Sequence, residues 1–273
     1  MVSPTLRVLL VGGSGFVGSH ASAALRRAGH DVTTLSRSGR ASHPEEHSLA
    51  ADRRDGAALA RALDGRRFDL TVDLAAWDAP DIQRLLTVPH AALGRYVLIS
   101  SGQSCLVTTA SMPYREADAD HPLIPEPTPG TSDHAQWRYG VGKRRAEQAL
   151  LALSASHGVR AVILRPPVVL GEGDSSLRTW AYLKRMLDGG PILLPDGGRQ
   201  LVRFLYAGDL GRAITRLALS TPPSRVYHLA QPDALPLRDV LERMARLAGC
   251  PGCEVSSVLM TMMRSTPAAT IDC

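Results

Sequence analysis

A tyrosine and a lysine lie four residues apart in one segment and could share a proton-transfer site. Lys143 follows Tyr139 after Gly-Val-Gly, and it is one of only two lysines in a chain with twenty-nine arginines. On a helix, positions i and i+4 share a face, so the phenol and the ammonium can reach one pocket. A compact ammonium favours the phenolate and lowers the pKa of a phenol from about 10. The spacing therefore predicts an acid/base pair, although surface helix pairs also have it.

A glycine-rich turn follows the first apolar segment. Leu6–Val11 has the composition of a parallel strand buried on both faces, and the helix expected after the turn ends before Gly29. Glycines at 12, 15 and 18 would serve a tight turn, close approach of a pyrophosphate, and close helix–strand packing. The helix N-terminus favours phosphate binding. The turn predicts that a dinucleotide binds at Gly12, Ser14, Gly15, Phe16, Val17 and Gly18.

The end of the second strand indicates which dinucleotide binds. An acidic residue there would hold the adenosine ribose hydroxyls. Asp31 instead starts the strand Asp31–Leu35, and Ser36, Arg37 and Arg40 follow its end. A serine and an arginine can hold a 2′-phosphate, so Ser36 and Arg37 favour NADP(H) over NAD(H). The alternative is that both arginines are solvated loop residues.

Composition limits the function classes. The 273 residues are 44% hydrophobic and 21% charged, with a net charge of +5 and a pI near 9.3. The basic residues are dispersed with few aromatics, so we expect no nucleic-acid partner. Cys250 and Cys253 form a lone CxxC, for which zinc or redox use stays open, but free thiols are the expectation and no metal site is predicted. No apolar run reaches membrane-spanning length, so we expect a cytoplasmic protein without a membrane partner.

Alternating strand and helix patterns predict an α/β fold with a doubly wound parallel sheet. We expect strands at Leu6–Val11, Asp31–Leu35, Ser48–Ala51, Leu70–Leu74, Arg95–Ile99, Arg160–Leu164, Pro191–Leu194, Leu201–Leu205 and Val226–Leu229. We expect helices at Gly15–Ala28, Asp55–Leu63, Asp81–Ala92, Asp133–Ser156, Leu177–Leu187, Asp209–Leu219 and Leu237–Leu247. The polar, Pro-rich segment 111–133 precedes the long helix, whose expected capping box is Asp133 with Gln136.

These motifs together resemble the short-chain dehydrogenase/reductase superfamily, and more narrowly its extended NAD(P)-dependent epimerase/dehydratase branch. The glycine turn and Tyr139-x-x-x-Lys143 match the superfamily. Leu98–Ser101, Leu164–Gly171, Arg203–Leu210 and Val226–Ala230 resemble segments of the extended branch. The resemblance covers residues 6 to about 248. It implies a Rossmann-type NAD(P)-binding domain at 1–166, completed by 201–230, and a small discontinuous C-terminal substrate lobe at 167–200 and 231–273.

The resemblance also implies roles for individual residues. Tyr139 would be the general acid/base, Lys143 would bind the nicotinamide ribose and lower the tyrosine pKa, and Ser101 would hydrogen-bond the substrate oxygen, with Ser100 as the rival for that role. Asp52 and Arg53 would lie near the adenine. Further cofactor contacts would come from Leu74, Ala75, Ala76, Pro166 and Val168. Substrate contacts would come from Trp77, Gln103, the 111–133 segment and Arg203.

The function expected from this resemblance is NADP(H)-dependent oxidoreduction, in which hydride moves to or from a carbonyl or carbinol carbon of a small molecule. One alternative is an epimerase or dehydratase of a sugar or specialised metabolite that recycles its cofactor. Another is a non-catalytic cofactor sensor or RNA-binding relative. The chain departs from the sugar-nucleotide epimerases where Pro166-Pro167 replaces a frequent Asn. A homodimer is also compatible with the sequence.

Overall fold

The computed structural model describes residues 4–220, 222, 225–250 and 255–258. Its strands are β1 (Arg7–Val11), β2 (Asp31–Ser36), β3 (His47–Ala50), β4 (Leu70–Asp73), β5 (Arg95–Ile99), β6 (Ala161–Arg165), β7 (Val168–Leu170), β8 (Ile192–Pro195), β9 (Leu201–Val202), β10 (Phe204–Tyr206), β11 (Val226–His228), β12 (Leu235–Pro236) and β13 (Val255–Val258). Its α-helices are α1 (Phe16–Arg27), α2 (Gly56–Leu63), α3 (Ala79–Leu86), α4 (Gln103–Leu106), α5 (Ser132–Ser156), α6 (Arg178–Leu187), α7 (Ala207–Leu219) and α8 (Leu237–Leu247).

Seven strands form one parallel sheet in the order β11-β6-β5-β4-β1-β2-β3. The strand order reverses beside β1, where the crossover connections pass to opposite sides of the sheet. In such a sheet, ligands bind outside the carboxyl ends of the strands near this reversal. The predicted α/β, doubly wound Rossmann-type fold is confirmed.

Alternate residues of each strand enter two cores on opposite faces of the sheet. Val8 and Leu10 pack with α1 and α7, whereas Leu9 and Val11 face the core that contains α2, α3 and α5. This alternation follows from the two-residue period of side chains along a strand. With both faces covered by helices, the strands can be apolar throughout. The carboxyl ends, where the chain turns into loops, are left to carry the polar residues.

The chain divides into two compact units. The first comprises Met1–Glu172 and Leu205–Ala230, and the second comprises Gly173–Phe204 and Gln231–Cys273. Strand β7, which follows residue 166, pairs with β10. The second has its own small core, formed by Met186, Ile192, Leu194, Leu241 and Ala245.

Several element boundaries differ from the predictions. Helix α3 ends at Leu86 and not at Ala92, because Val88 precedes Pro89 and that position disfavours helix. Helix α5 is capped by Thr131, whose hydroxyl accepts from the His134 N–H at 3.1 Å, and not by Asp133. The predicted strand 201–205 is two strands, since β9 pairs with β12 and β10 with β7.

No helix within the described ranges is long and apolar enough to cross a lipid bilayer. Cys250 is a half-buried free thiol, whereas Cys253 and the apolar run after 258 lie outside the described residues.

Candidate active site

The glycine turn joins β1 to α1 with its backbone open toward the carboxyl end of the sheet. Gly12 has a positive φ of 83°, and its N–H donates to Leu35 O at 2.9 Å. A Cβ on Gly18 would lie 2.4 Å from Gly12 O, so the helix can approach the turn only with glycine there. At Gly15 a Cβ would meet no protein atom closer than 3.5 Å. Internal packing therefore does not require that glycine, and the open space leaves the backbone accessible to a ligand.

The N-terminus of α1 fits a pyrophosphate. No side chain caps the helix at Gly15, and its first turn contains no acidic residue. The first N–H groups of a helix have no partner within it, and their positive dipole end favours an anion. The backbone of Ser14 to Gly18 is thus suited to the phosphates of a dinucleotide.

The loop after β2 presents an unpaired cation near this turn. Arg37 is exposed and has no hydrogen bond or ion pair within the described part of the chain. Ser36 and Ser38 bring their hydroxyls to 3.4 Å of each other. The loop is held against the glycine turn by Ser42, whose hydroxyl donates to Gly13 O at 2.8 Å. This hydrogen bond fixes the position of the loop after β2 beside the glycine turn.

Glu46, which the sequence reading missed, anchors the same loop. Its carboxylate is buried and accepts hydrogen bonds from the Ser22 hydroxyl and from the Ser42 N–H at 2.8 Å. A buried carboxylate needs such partners. Glu46 is committed to these partners, and the described residues 36–40 that follow the end of β2 include no carboxylate.

The two residues expected near the adenine have different surroundings. Asp52 is exposed and its carboxylate accepts from the Arg54 N–H at 2.9 Å. Arg53 is turned inward, and its guanidinium donates to both oxygens of the fully buried Asp73 at 2.7 and 2.9 Å. The structure thus gives the Arg53 guanidinium a partner inside the protein.

The loop after β4 lies against the glycine turn. Ala75 Cβ would be 3.1 Å from a Cβ on Gly12, and the Leu74 N–H donates to Val11 O at 3.0 Å. Ala76 is buried, while the next residue, Trp77, is 62% exposed. Leu74 to Ala76 therefore form one wall beside the turn, as expected of cofactor-lining residues.

Two consecutive serines at the end of β5 point to different partners. Ser100 is buried and its hydroxyl donates to the Glu147 carboxylate. Ser101 is half-buried, and its hydroxyl lies close enough to the Tyr139 phenol to lower the pKa of that phenol. Successive residues of an extended chain face opposite ways. Ser100 is thus engaged with Glu147, whereas the Ser101 hydroxyl is on the side of Tyr139.

Two glycines let helix α5 approach the loops that follow β4 and β5. A Cβ on Gly140 would lie 2.6 Å from Gln103 O, and one on Gly142 would lie 2.6 Å from Trp77 O. Any larger residue at either position would push the helix away. The flanking residues Tyr139 and Lys143 are consequently held close to Ser101 and to the loop after β4.

Lys143 is buried beneath this contact, with 4% of its surface exposed. Its Nζ donates to Ala76 O at 2.8 Å and to Ile99 O at 3.0 Å, and lies 5.8 Å from the centre of the Tyr139 ring. Burial lowers the pKa of Lys143 from 10.5 to about 8, against the opposing effect of Asp73. The Lys143 side chain is therefore an ammonium bound by two carbonyls at neutral pH, and it loses its proton in mildly alkaline solution.

Burial raises the pKa of Tyr139, and the nearby Ser101 hydroxyl partly offsets that rise. The direction of this pKa shift is opposite to the one expected from a neighbouring ammonium, because desolvation of the buried phenolate outweighs other effects. At neutral pH the phenol carries its proton. The Trp77 ring meets the Tyr139 ring edge to face, with 5.2 Å between centroids.

A second buried ion pair supports the same helix. Arg165, at the end of β6, donates to Glu147 of α5 at 2.6 Å, and both side chains are 4% exposed. Arg165 also donates to Glu116 O at 2.6 Å, which ties the 111–133 segment to the sheet. Neither charge was recognised in the sequence. A signal for this ion pair was present in the sequence, because Arg165 ends an otherwise apolar strand and a buried charge needs a partner.

The remaining predicted residues are dispersed. Pro166 is buried and its carbonyl accepts from the Gly102 N–H at 2.9 Å, beside Ser101. Val168 is 38% exposed. The Gln103 N–H donates to the Ser101 hydroxyl at 3.2 Å. Arg203 lies exposed in the second unit, between β9 and β10.

A cavity of about 240 Å³ lies elsewhere, at the amino ends of β4, β5 and β6. None of the predicted site residues lines it, so we attach no chemistry to it.

The fold and the site define an NAD(P)-dependent enzyme. Residues 8–230 match the profile of the NAD dependent epimerase/dehydratase family, and the chain belongs to that family. The expected membership of the extended short-chain dehydrogenase/reductase group is thereby confirmed.

Two curated relatives are reductases from Streptomyces. The chain is 31% identical over 254 residues to 2′-dehydrokanamycin reductase from Streptomyces kanamyceticus, covering 90% of this chain and 68% of that protein. It is 28% identical over 265 residues to 3-diazoavenalumate denitrifying reductase from a Streptomyces species, covering 90% and 83%. Among solved structures, it resembles Thermus thermophilus UDP-glucose 4-epimerase in complex with NAD, with a TM-score of 0.68, 22% identity and coverage of 94% and 91%. That last likeness is one of fold.

Proposed function

We propose that this protein is an NADPH-dependent reductase of a ketone carried on a ring. The observation that carries the proposal is the proximity of the Ser101 hydroxyl to the phenol of Tyr139. Burial keeps this phenol protonated at neutral pH. A protonated phenol beside a second hydroxyl is suited to deliver a proton to a carbonyl oxygen. Both curated relatives described above are reductases, which supports the reductive direction.

The chain's own residues would supply the proton and hold the oxygen. Ser101 and Tyr139 would both donate hydrogen bonds to the carbonyl oxygen, stabilising the charge that develops on it. NADPH, when bound, would supply the hydride that adds to the carbonyl carbon. The Tyr139 proton then passes to the oxygen and leaves a phenolate. The Lys143 ammonium, held by two carbonyls, would stabilise that phenolate until solvent returns a proton.

The preference for NADPH rests on the loop after β2. Arg37 is exposed and unpaired within the described residues, and Ser42 and Glu46 fix its loop beside the glycine turn. An arginine fork matches a phosphate group bidentately. The described residues 36–40 after this strand include no carboxylate that could hold the ribose hydroxyls of NADH.

The substrate class rests on Trp77. Its ring is 62% exposed and adjoins Tyr139, so one of its faces is available to a substrate. An indole face packs against the apolar face of a ring and leaves polar substituents to water. The first relative is named for a 2′-dehydro form of kanamycin, which supports this substrate class.

Isotope transfer tests the proposal against the epimerase alternative. The protein would be incubated with NADPH deuterated at the transferable C4 position and a panel of ring ketones, and the products analysed by mass spectrometry. A reductase yields carbinols that carry deuterium, with one NADPH consumed for each. An epimerase would isomerise a carbinol with no net cofactor consumption and would release near-stoichiometric oxidised cofactor when the purified protein is denatured. That second outcome would overturn the proposal.

A further inference from the structure

Asp73, at the end of β4, is a buried carboxylate whose two oxygens are fully engaged. Arg53 donates to both oxygens, and the Tyr96 hydroxyl donates to Oδ2 at 2.5 Å. The N–H groups of Ala75 and Ala76 donate to Oδ1 at 2.9 and 3.0 Å. Asp73 and Tyr96 are both fully buried. A carboxylate with this many donors stays ionised inside the protein.

One residue links this carboxylate to the proposed catalytic lysine. Ala76 donates its N–H to Asp73 and accepts the Lys143 ammonium on its carbonyl oxygen at 2.8 Å. Fixing the N–H of a residue limits the directions its carbonyl can take, because the backbone has only two soft dihedrals per residue. The carboxylate, and not the Arg53 guanidinium, is the group bonded to the loop that Lys143 touches.

Other charged groups face Lys143 from several elements. Asp81 of α3 and Glu147 of α5 favour its charged form, and Arg53 opposes it. Glu147 is paired with Arg165, which reduces its net effect. Tyr139, on the same helix, is protonated at neutral pH. Among these groups, Asp73 has the largest favourable influence on the ammonium.

We propose that Asp73 is a positioning residue for Lys143: its carboxylate fixes the Ala76 carbonyl that holds the ammonium. The buried negative charge of Asp73 also favours the charged form of Lys143. Its catalytic importance rests on the proposed function of Lys143. A purely structural role is the rival interpretation, in which the Arg53–Asp73–Tyr96 contacts only join neighbouring strands. The two interpretations predict opposite shifts in the pKa of Lys143 when Asp73 is replaced. Loosened packing would admit water and move the Lys143 pKa up toward 10.5, whereas loss of the carboxylate charge moves it down.

The chain offers a direct test, since Lys143 and Lys184 are its only lysines. Labelling lysine with ¹³C at the ε position gives two NMR signals, which Lys184→Arg assigns. In the full-length wild type, the Lys143 signal should titrate near pH 8. In Asp73→Asn the midpoint should fall by about 1 pH unit or more, while the Lys184 signal serves as the internal reference.

Asp69→Asn is the matched control. Asp69 precedes the same strand, at its amino end, and also accepts from a backbone N–H and an arginine, those of Arg7. It should leave the Lys143 midpoint unchanged. Because Asp73→Asn leaves Arg53 buried without its carboxylate, a second variant, Asp73→Asn with Arg53→Gln, removes both charges. Its midpoint should also fall, by a smaller amount.

A midpoint that rises or stays in either folded Asp73 variant would overturn the proposal. The titration needs no turnover, so it is independent of whether the protein reduces ketones. If the wild type is inactive while the midpoint falls in Asp73→Asn, the proposed function fails and the link to Lys143 stands. If the wild type is active, the alkaline limb of kcat/KM should move together with the NMR midpoint.

Discussion

The hydroxyl of Ser100 donates a hydrogen bond to the buried carboxylate of Glu147. This bond removes Ser100 from the site and leaves its neighbour, Ser101, to contact Tyr139. The sequence favoured Ser101 over its neighbour for the site, and the contacts of the two serines are compatible with that prediction.

Ser101→Ala should lower kcat by about 10²- to 10³-fold, the usual effect of removing one donor from a developing oxyanion. Its thermal stability should be close to that of the wild type. Ser100→Ala should instead cost about 1.5–3 kcal/mol of unfolding free energy, because it removes a bond to a buried charge. Steady-state kinetics and urea unfolding on both variants check the assignment. Equal kinetic losses in the two variants would contradict it.

Tyr139→Phe should lower kcat by about 10²- to 10⁴-fold, since the proton donor is lost while the ring remains. NADPH affinity, measured by fluorescence titration, should remain close to the wild-type value. Retained activity in this variant would favour a non-catalytic, cofactor-sensing function. Trp77→Phe is a useful companion, because it alters the adjoining ring and leaves the phenol in place.

Arg37→Ala should weaken NADPH binding by about 1–3 kcal/mol and leave NADH binding almost unchanged, because only NADPH carries the 2′-phosphate. Arg54→Ala removes an exposed arginine from a neighbouring loop and serves as the control. Calorimetric titration with both cofactors gives the two affinities. Parallel losses for NADPH and NADH would contradict the assignment of Arg37.

The pH profile should report Lys143. Its pKa is lowered to about 8, so kcat/KM should fall as pH rises through that value and the ammonium is lost. Burial raises the pKa of Tyr139, so that group does not set this limb. Lys143→Arg should move the alkaline limb to higher pH at reduced activity, since arginine does not deprotonate in this range. An unchanged limb would show that another group titrates there.

Arg165→Met should destabilise the protein by about 3–5 kcal/mol, because it leaves the Glu147 charge buried and unpaired. The double variant Arg165→Met with Glu147→Leu should be markedly less destabilised, since it removes both charges. Guanidinium unfolding of the wild type and the two variants checks this order. A double variant as unstable as the single one would mean that lost packing, and not the unpaired charge, causes the effect.

The sequence by itself determined the fold class and the family, and it predicted the site residues that follow from local patterns. Apolar strands that end in glycines, and helices with a 3.6-residue period, are local signals, because each depends on side chains close together in the chain. Tyr139 and Lys143 were found for the same reason: a helix converts a spacing of four into a shared face. The glycine turn and Arg37 were predicted in the same way, because each directly follows an apolar strand in the sequence.

Only the tertiary structure decided which groups meet across elements. Asp73, Arg53 and Tyr96 come from different strands and loops, and no local pattern relates them. The contact that engages Ser100 depended on Glu147, 47 residues away from Ser100. The direction of the Tyr139 pKa depended on burial, which a sequence does not state. Long-range contacts and desolvation arise from packing, and so the charge states of this site were decided by the fold.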